Sequence, residues 1–447
     1  MVLTIVFGII GFGIIVFVHE LGHFIAAKRV GVEVETFSLG WGKKLVGFDY
    51  KGTNYRISMI PFGGYCKLKG ENPDDRREQW EEGSFFAVPA WKRILTAAAG
   101  PLANVLFALI VLTLIWWIGF KIYTDGNRIV LASDYELSGV SELSPAAEAG
   151  LQTGDRIVAI NVEPVTNFQD ILETVATSPG ERLSLTIKRQ GRLLETAITP
   201  ELDLETGAGK IGVYAWRDPV VGRVSPGGAA AVAGLKPGDR IVEAGGQPVR
   251  QTIDFYQQLQ ARPKTLDIRY RRDSSLEEAT LVVSYNEQGA ADLGLTFEVG
   301  VYPSEQVGLV GAIGKGAKES WETFVLTVKG IGLLFRGVNL HNAVAGPLRI
   351  TYYVGAVATS GFRLGISQGL VSYFRFLCLL SIVLFLINLL PIPGLDGGQI
   401  VVFGVEAVRG KALDPKVIGR IQMISFSLLI LITVLATFSD ILFFMGR

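Results

Sequence analysis

Charge, cysteine and histidine are all scarce in this 447-residue chain. Only 19% of the residues are charged, and 42 basic side chains balance 42 acidic ones, so no bulk attraction to nucleic acid and no nucleic-acid partner are expected. The two cysteines, Cys66 and Cys378, lie too far apart to cross-link a small secreted scaffold. Apolar residues are abundant: 49% of the chain is hydrophobic and the mean hydropathy is +0.37, which excludes an intrinsically disordered chain. Composition and length together indicate a membrane protein with several modules.

Four apolar runs are each long enough for a helix that crosses the hydrocarbon core, which takes about 20 residues. The predicted spans are 1–27, 94–120, 371–398 and 421–444. No basic segment precedes the first run, so we expect a retained helix rather than a cleaved signal peptide. Basic residues are concentrated in the loops 28–93 and 399–420, which predicts that both loops are cytoplasmic. Both termini and the long segment between the second and third spans are then expected on the opposite face of the membrane.

The region 304–345 contains an apolar stretch of a different kind. Between 309 and 336, hydrophobic residues recur at steps of three and four, while charged residues occupy the other faces. That pattern is typical of an amphipathic helix at a membrane surface, so we predict an interfacial helix rather than a fifth span. The segment that follows, 346–370, is predicted to be a connector.

The long segment between the second and third spans contains an internal duplication. AGLQTGDRIV at 149–158 and AGLKPGDRIV at 233–242 are copies of one motif, 84 residues apart. This period is too long for a solenoid and predicts two tandem β-rich domains, 121–215 and 216–303. The motif and its flanking strands resemble the PDZ domains of bacterial membrane and envelope proteases. The resemblance implies a groove for an extended peptide ligand, and a steric filter that excludes bulky substrates is an equal alternative.

The first predicted span carries an H-E-x-x-H motif formed by His19, Glu20 and His23. Histidines four residues apart stand one turn apart on the same face of a helix, where both imidazoles can ligate one cation. The adjacent glutamate can hold a water at the metal and remove its proton. The alternative is a buried polar cluster, such as an ion-pathway carboxylate or a polar contact between helices.

The third predicted span ends in the segment NLLPIPGLDGG, from Asn388 to Gly398. Pro391 and Pro393 cannot continue a helix, so we expect the backbone there to unwind and to line a cavity. Asp396 is thereby expected at the cytoplasmic end of its span, at the same membrane depth as the histidine pair. A hydrolytic zinc site needs a third protein ligand and leaves one position for water, and Asp396 is the candidate ligand. A helix-capping aspartate at the membrane edge is the alternative.

The H-E-x-x-H motif in the first helix, N-x-x-P-x-P-x-L-D-G later in the chain and PDZ-like copies between them resemble the site-2 protease family of intramembrane zinc metalloproteases. The resemblance covers essentially the whole chain. It implies that His19, His23 and Asp396 ligate Zn2+ and that Glu20 is the general base. It also implies that Asn388 holds the substrate backbone or the developing oxyanion, with an amide contact between helices as the alternative.

A further element of the same family, G-x-x-x-N, is matched in the second span by Gly100 and Asn104. We expect Gly100 to permit close packing of helices. Asn104 is then a candidate contact behind the metal ligands.

The loop between the first two spans, 28–93, contains residues typical of strands. From 48 to 59, aromatic and aliphatic residues partly alternate with polar ones around a turn at 51–54. In the family, this region resembles a membrane-dipping β-hairpin whose free edge pairs with the substrate and replaces its helical hydrogen bonds. The candidate substrate-binding residues are Met59, Ile60, Pro61, Phe62, Gly63, Gly64 and Tyr65. A hairpin that only braces the helices is the alternative.

The fold class predicted from these features is a polytopic α-helical membrane protein with four transmembrane helices, a membrane-associated β-hairpin region and two tandem PDZ domains. The resemblance implies an enzyme of the bacterial cytoplasmic (inner) membrane, with its termini and PDZ domains in the periplasm, that hydrolyses peptide bonds within transmembrane segments. Its implied substrates are single-span membrane proteins of the anti-sigma factor type, and leftover signal peptides, in envelope stress signalling.

Two functions of other classes remain open from the residues alone. One is a catalytically inactive tandem-PDZ scaffold in the membrane. The other is a transporter that uses Glu20 and Asp396 as ion-coupling carboxylates. A transporter predicts inverted repeats among the spans, whereas the only repeat in the sequence is the one between the second and third spans.

Overall fold

The computed structural model describes residues 1–71, 81–135, 144–204, 206–286, 289–333, 345–411, 413 and 415–445. The chain divides into two compact units. The first consists of Met1–Phe120 with Ser304–Arg447, and the second is Lys121–Pro303. The first unit carries the candidate metal ligands, and the second carries the duplicated motif.

The elements alternate between the two units in chain order. The first unit begins with α1 (Val2–Val30), β1 (Val34–Tyr50), β2 (Thr53–Leu68), a 3₁₀ turn (Phe85–Ala87) and α2 (Ala90–Ile118). The second unit begins with β3 (Lys121–Tyr123), β4 (Ile129–Leu131), a 3₁₀ turn (Ala132–Asp134), α3 (Pro145–Glu148), β5 (Arg156–Ile160), β6 (Glu163–Pro164), α4 (Phe168–Ala176), β7 (Leu183–Arg189), β8 (Arg192–Ile198), β9 (Glu201–Leu202), β10 (Gly209–Lys210) and β11 (Val213–Ala215).

The remaining elements complete both units. The second unit continues with β12 (Val221–Val224), α5 (Ala229–Val232), β13 (Arg240–Ala244), β14 (Gln247–Pro248), α6 (Thr252–Gln257), β15 (Thr265–Arg272), β16 (Ser275–Val282), β17 (Ser284–Tyr285), β18 (Ala291–Asp292), β19 (Leu295–Phe297) and β20 (Val301–Pro303). The first unit ends with α7 (Leu309–Leu333), α8 (Pro347–Arg363), α9 (Ile366–Asn388), α10 (Asp396–Arg409) and α11 (Pro415–Phe444).

Among the described residues, three helices are long and apolar enough to cross a membrane: α1, α2 and α9. They overlap three of the predicted spans. α11 overlaps the fourth, 421–444, and the four-span topology stays a prediction. α9 ends at Asn388 rather than at 398, because the proline-containing segment 389–395 leaves the helix before α10 begins at Asp396.

The predicted connector 346–370 contains a helix, α8, that packs into the first unit. One buried cluster joins α8 to α1 and α9, and its members are Ile15, Val354, Ala358, Tyr373 and Leu377. The Tyr373 hydroxyl of α9 donates to the Phe7 carbonyl oxygen of α1 at 2.9 Å. α8 is therefore part of the helical core of this unit.

The predicted interfacial helix, α7, packs along α2 and α9. The carboxylate of Glu319 in α7 accepts hydrogen bonds from the Trp116 indole at 2.6 Å and from the Arg375 guanidinium at 2.8 Å. Farther along α7, the ring of Phe324 lies 6.3 Å from the ring of Phe385 in α9. The side of α7 with Glu319 and Phe324 thus faces protein, and the contact of the helix with a lipid surface stays a prediction.

β1 and β2 form a sheet of four segments rather than a simple two-stranded hairpin. Phe37 of β1 pairs with both Cys66 and Tyr55 of β2, so the first half of β1 lies between two segments of β2. The order across the sheet is 64–68, 34–39, 54–58 and 44–50. Register shifts along β1 and β2 permit this folding back. Among the described residues, the segment 64–68 pairs on one side only, so its other side is a free strand edge.

The second unit contains two four-stranded sheets with the same topology, β6-β5-β7-β8 and β14-β13-β15-β16. In each sheet an arginine holds the aspartate of the duplicated motif through two hydrogen bonds. Arg189 holds Asp155 and Arg272 holds Asp239, in both cases at 2.8 and 2.7 Å. The repeat in the sequence is therefore a repeat of structure, and the assignment of both copies as PDZ domains stays a prediction.

Candidate metal centre and active site

Two histidines of α1 and the first residue of α10 converge on one point. His19 Nε2 lies 3.2 Å from Asp396 Oδ2, and His23 Nε2 lies 3.5 Å from the same oxygen. The two Nε2 atoms are 3.2 Å apart. One ligand atom from each residue lies within 4.8 Å of the others, and all three side chains are largely buried. The three residues predicted from the sequence as metal ligands therefore lie together in the structure.

Local backbone geometry explains how Asp396 reaches the histidines. The chain leaves α9 at Asn388, runs through a non-helical segment with two prolines, and starts α10 at Asp396. A Cβ at Gly397 would collide with the carbonyl oxygens of Leu389 and Leu390. Because position 397 has no side chain, α10 can begin directly against the end of α9.

Groups on α2 contact the Nδ1 atom of each imidazole ring, opposite the Nε2 atom that faces Asp396. His23 Nδ1 lies 2.8 Å from the Thr96 carbonyl oxygen, which can only accept, so Nδ1 carries the proton and donates it. The Nε2 lone pair of His23 is then free to bind a cation. Gly100, one turn farther along α2, lies against the same ring, and a Cβ there would collide with His23 Nε2.

Asn104 performs the corresponding role for His19. Its amide lies 3.2 Å from His19 Nδ1, and its side chain is fully buried. With the amide nitrogen toward His19, the Asn104 Oδ1 atom has no hydrogen-bond partner in the described part of the chain. Turning the amide by 180° lets Oδ1 accept from Nδ1–H, which fixes the tautomer that presents Nε2 to a cation.

The donor set fits a divalent zinc ion. Zinc in hydrolases takes imidazole nitrogens and a carboxylate oxygen as three protein ligands and keeps a further position open. Here two Nε2 atoms and one carboxylate oxygen face each other, and both Nδ1 atoms have an acceptor on α2 once Asn104 is oriented as above. A carboxylate and two imidazoles at the ends of apolar helices cost free energy in a membrane unless they have a partner, and a bound cation would be one.

The convergent atoms open into a cavity of about 320 Å³. Glu20 and Asn388 line this cavity together with the three candidate ligands. The Glu20 carboxylate accepts a hydrogen bond from the backbone N–H of Cys66, so the edge of the β1–β2 sheet holds it in place. The two candidate catalytic side chains therefore lie in the same cavity as the three candidate metal ligands.

The free strand edge, 64–68, overlaps the end of the predicted substrate-binding segment 59–65. Residues 59–63 connect the two longer paired segments of β2; Ile60 pairs with Trp41, and the side chains of Met59 and Ile60 are exposed. The free edge begins at Gly64, so only Gly64 and Tyr65 of the predicted set belong to it, and the side chain of Phe62 is outside the described part of the structure. Tyr65, Cys66 and Leu68 line the cavity.

Three contributors to the site had no signal in the sequence-based prediction. Thr96 acts through its backbone carbonyl, which no side-chain pattern reveals. Cys66 acts through its backbone N–H, and burial raises the pKa of its thiol, which therefore stays neutral near pH 7. Trp41 lines the cavity with its ring centroid 5.1 Å from that of Tyr65, and no motif or alternating pattern in the sequence included it.

Comparison with known proteins gives matches along almost the entire chain. The sequence profile of peptidase family M50 matches residues 7–432. A Treponema pallidum protein described as a zinc metalloprotease is 38% identical over 449 residues, which is 99% of each chain. The regulator of sigma-E protease RseP of Escherichia coli is 31% identical over 452 residues, which is 97% of each chain.

Two solved structures match a small part of the chain. The PDZ domain of an SdrC-like protein from Listeria monocytogenes is 22% identical, covers 19% of this chain and 90% of its own, and has a TM-score of 0.17. The corresponding domain from Listeria innocua is 24% identical, covers 18% of this chain and 92% of its own, and has a TM-score of 0.17. These values are too low to carry an argument about the second unit.

Proposed function

The chain belongs to peptidase family M50, a metalloprotease family, and we propose that it is a site-2-type zinc endopeptidase that cuts peptide bonds within transmembrane segments. The observation that carries the proposal is the convergence of His19, His23 and Asp396 on one cavity that also contains Glu20 and Asn388. Because the cavity is built from the ends of apolar helices, its substrate is a peptide bond that lies in or next to the membrane.

His19, His23 and Asp396 would hold the zinc ion. Bound there, zinc supplies Lewis-acid chemistry that makes a water molecule nucleophilic near neutral pH and polarises a carbonyl group. The contributions of the protein are the fixed histidine tautomers and a cavity that places Glu20 and Asn388 beside the candidate ligands.

Glu20 is positioned to move the proton. Its carboxylate lines the cavity beside both histidines, and the Cys66 N–H restricts its orientation. We assign to it the removal of the proton from the attacking water and its delivery to the leaving amine.

Asn388 is positioned to stabilise charge on the substrate. It is the last residue of α9, and it lines the cavity beside Asp396. Its amide N–H groups can donate to the carbonyl oxygen of the scissile bond as negative charge develops there.

The free edge at 64–68 offers a way to expose the scissile bond. A bond inside a helix is already hydrogen-bonded, and pairing of an unwound substrate segment with a strand edge replaces those bonds. The cavity-facing N–H groups of Cys66 and Leu68 donate to the carboxylates of Glu20 and Glu71 in this structure. A substrate strand that pairs here would take over these donors and lie next to the metal ligands.

For the substrates, we propose single-span membrane proteins of the anti-sigma factor type and leftover signal peptides, in envelope stress signalling. The full-length similarity to the Escherichia coli regulator of sigma-E protease supports this class and a bacterial inner-membrane location. The proposed topology has both termini and the second unit in the periplasm, with the active site toward the cytoplasm. Peptide ligands of the second unit and a size filter remain two alternatives for that unit.

The test compares the wild-type chain with Glu20→Gln on a single-span substrate in the same vesicles. Loss of cleavage with one zinc still bound per chain supports the proposal, because the substitution removes the proton acceptor and keeps the metal ligands. Glu35→Gln is the matched control, since Glu35 is an exposed β1 carboxylate that pairs with Lys67 and should leave cleavage unchanged. A wild-type chain that binds no zinc and cuts no substrate would instead favour the inactive scaffold.

A further inference from the structure

A buried ion pair links α2 to α10 away from the cavity. Arg93 Nη1 lies 2.7 Å from Glu406 Oε2, and the two side chains are only 7% and 3% exposed. Removing two charges from water costs free energy that a single contact does not reliably recover, so stability alone is a weak reason for this pair. Its position in the fold gives a better one.

Both partners of this pair are fixed by further contacts. The Arg93 guanidinium stacks over the Phe403 ring at 4.7 Å, and its Nε donates to the Val88 carbonyl oxygen at 3.3 Å. The second oxygen of Glu406 accepts from the Leu413 N–H at 2.7 Å. The pair therefore fixes both the rotation and the axial position of α10 against the start of α2.

The same helix, α2, also orients the other two metal ligands. Thr96, three residues after Arg93, accepts from His23, and Asn104 contacts His19. Asp396 is the first residue of α10, and Glu406 lies ten residues later, about 15 Å along a straight helix. A short helix transmits a shift at one end to the other, so movement at Glu406 moves Asp396.

We propose that Arg93 and Glu406 are positioning residues that hold α10 in the register at which Asp396 meets His19 and His23, so that one helix, α2, aligns all three ligands of a divalent cation. This inference rests on the proposed metal site. It assigns to the pair an effect on metal retention, which a contact that only stabilises the fold would lack.

The test measures the rate at which the full chain in detergent releases zinc to a chelator. Glu406→Gln keeps the shape of the side chain and removes its charge, and we expect release to become about 10-fold faster, comparable to the lower end of the loss of metal affinity when a direct partner of a ligand is removed. The reversed pair, Arg93→Glu with Glu406→Arg, should partly restore slow release. Asp440→Asn is the control, because it disrupts an ion pair that is equally buried but lies elsewhere. Asp440 and Arg349 are 0% and 3% exposed, and their pair joins α8 to α11.

The outcomes separate this inference from the proposed function. Fast release in Glu406→Gln with normal release in Asp440→Asn, at a similar loss of thermal stability, supports the positioning role. Wild-type release from Glu406→Gln overturns it, even if the variant melts earlier. If Glu406→Gln does not fold, Arg93→Lys keeps the charge but loses the forked geometry, and unchanged release in that variant also overturns the inference. A wild-type chain without zinc would refute the proposed function itself.

Discussion

The tautomers of the two histidines are determined by groups on α2. The Thr96 carbonyl oxygen accepts from His23 Nδ1, and the buried amide of Asn104 is the corresponding partner of His19 Nδ1. Each contact leaves an Nε2 lone pair directed at Asp396. The two acceptors differ in kind, because a backbone carbonyl cannot be removed by substitution while the Asn104 side chain can.

Asn104→Leu tests the side chain that can be removed. The substitution keeps the branched shape of the side chain and removes the acceptor, so His19 loses the contact that fixes its ring, and we expect zinc affinity to fall by about 10- to 100-fold. Competition with a chelator measures the affinity. Ser381→Ala is the control, because Ser381 is fully buried on α9 and its hydroxyl has no partner among the described residues. Equal affinities in wild type and Asn104→Leu would contradict the role.

Much of the candidate site could be predicted at the residue scale. The i, i+4 spacing placed His19 and His23 on one face, and the prolines before Asp396 indicated a break in the helix. The convergence of Asp396 with the histidines could be predicted from the argument about membrane depth and from the family resemblance, and not from any local spacing. Arg93 and Glu406 carried no comparable signal, because an ion pair between residues 313 positions apart has no local pattern.

The β1–β2 sheet gives the cavity a strand edge with outward-facing donors. Cys66 and Leu68 have the same parity in the strand, and their N–H groups point away from β1 toward the Glu20 and Glu71 carboxylates. Strand addition requires these donors, so the edge gives a test that leaves the metal ligands unchanged.

Cys66→Pro removes one of these donors without touching the pairing to β1. We expect cleavage of a membrane-embedded substrate to fall by at least about 10-fold, because the substrate strand loses the backbone hydrogen bond that the Cys66 N–H would donate to it. Zinc content should stay at the wild-type level. Cys66→Ala removes the thiol and keeps the N–H, so it is the matched control and should cleave normally. Normal cleavage by Cys66→Pro would exclude this edge as a substrate strand.

At the scale of elements, the sequence predicted whether a segment is a helix or a strand better than it predicted which strands pair. Alternation in 48–59 predicted strands, but register shifts fold β1 between two segments of β2, and a period-two pattern does not contain that information. The free edge at 64–68 therefore shares only Gly64 and Tyr65 with the predicted substrate-binding segment 59–65, whose role stays a prediction. α8 lies in a segment predicted to be a connector. No long hydrophobic run marks this helix in the sequence, because its buried face combines small and apolar residues with Thr351 and the ion-paired Arg349.

At the scale of the whole molecule, the distribution of basic residues predicts the orientation in the membrane. Basic residues in 28–93 and 399–420 predict that these loops are cytoplasmic, and the second unit is then periplasmic. The apolar helices α1, α2 and α9 are consistent with a membrane protein, but their lengths do not fix a direction.

Single cysteines introduced on exposed positions test this orientation. In a chain with Cys66→Ala and Cys378→Ala, we place Lys44→Cys on β1 or Arg192→Cys on β8, both exposed. A membrane-impermeant maleimide added from the periplasmic side should label Arg192→Cys at once and Lys44→Cys only after the inner membrane is permeabilised. Labelling of both from one side would contradict the predicted topology.

The central claim is that His19, His23 and Asp396 hold one zinc ion, and the X-ray absorption spectrum of zinc in the purified full-length protein tests it most directly. The account predicts one zinc per chain with two imidazoles and further oxygen ligands at about 2.0–2.2 Å, and the loss of that signal in His19→Ala. A protein without stoichiometric zinc, or a sulfur ligand at about 2.3 Å, which Cys66 beside the cavity would supply, would contradict it.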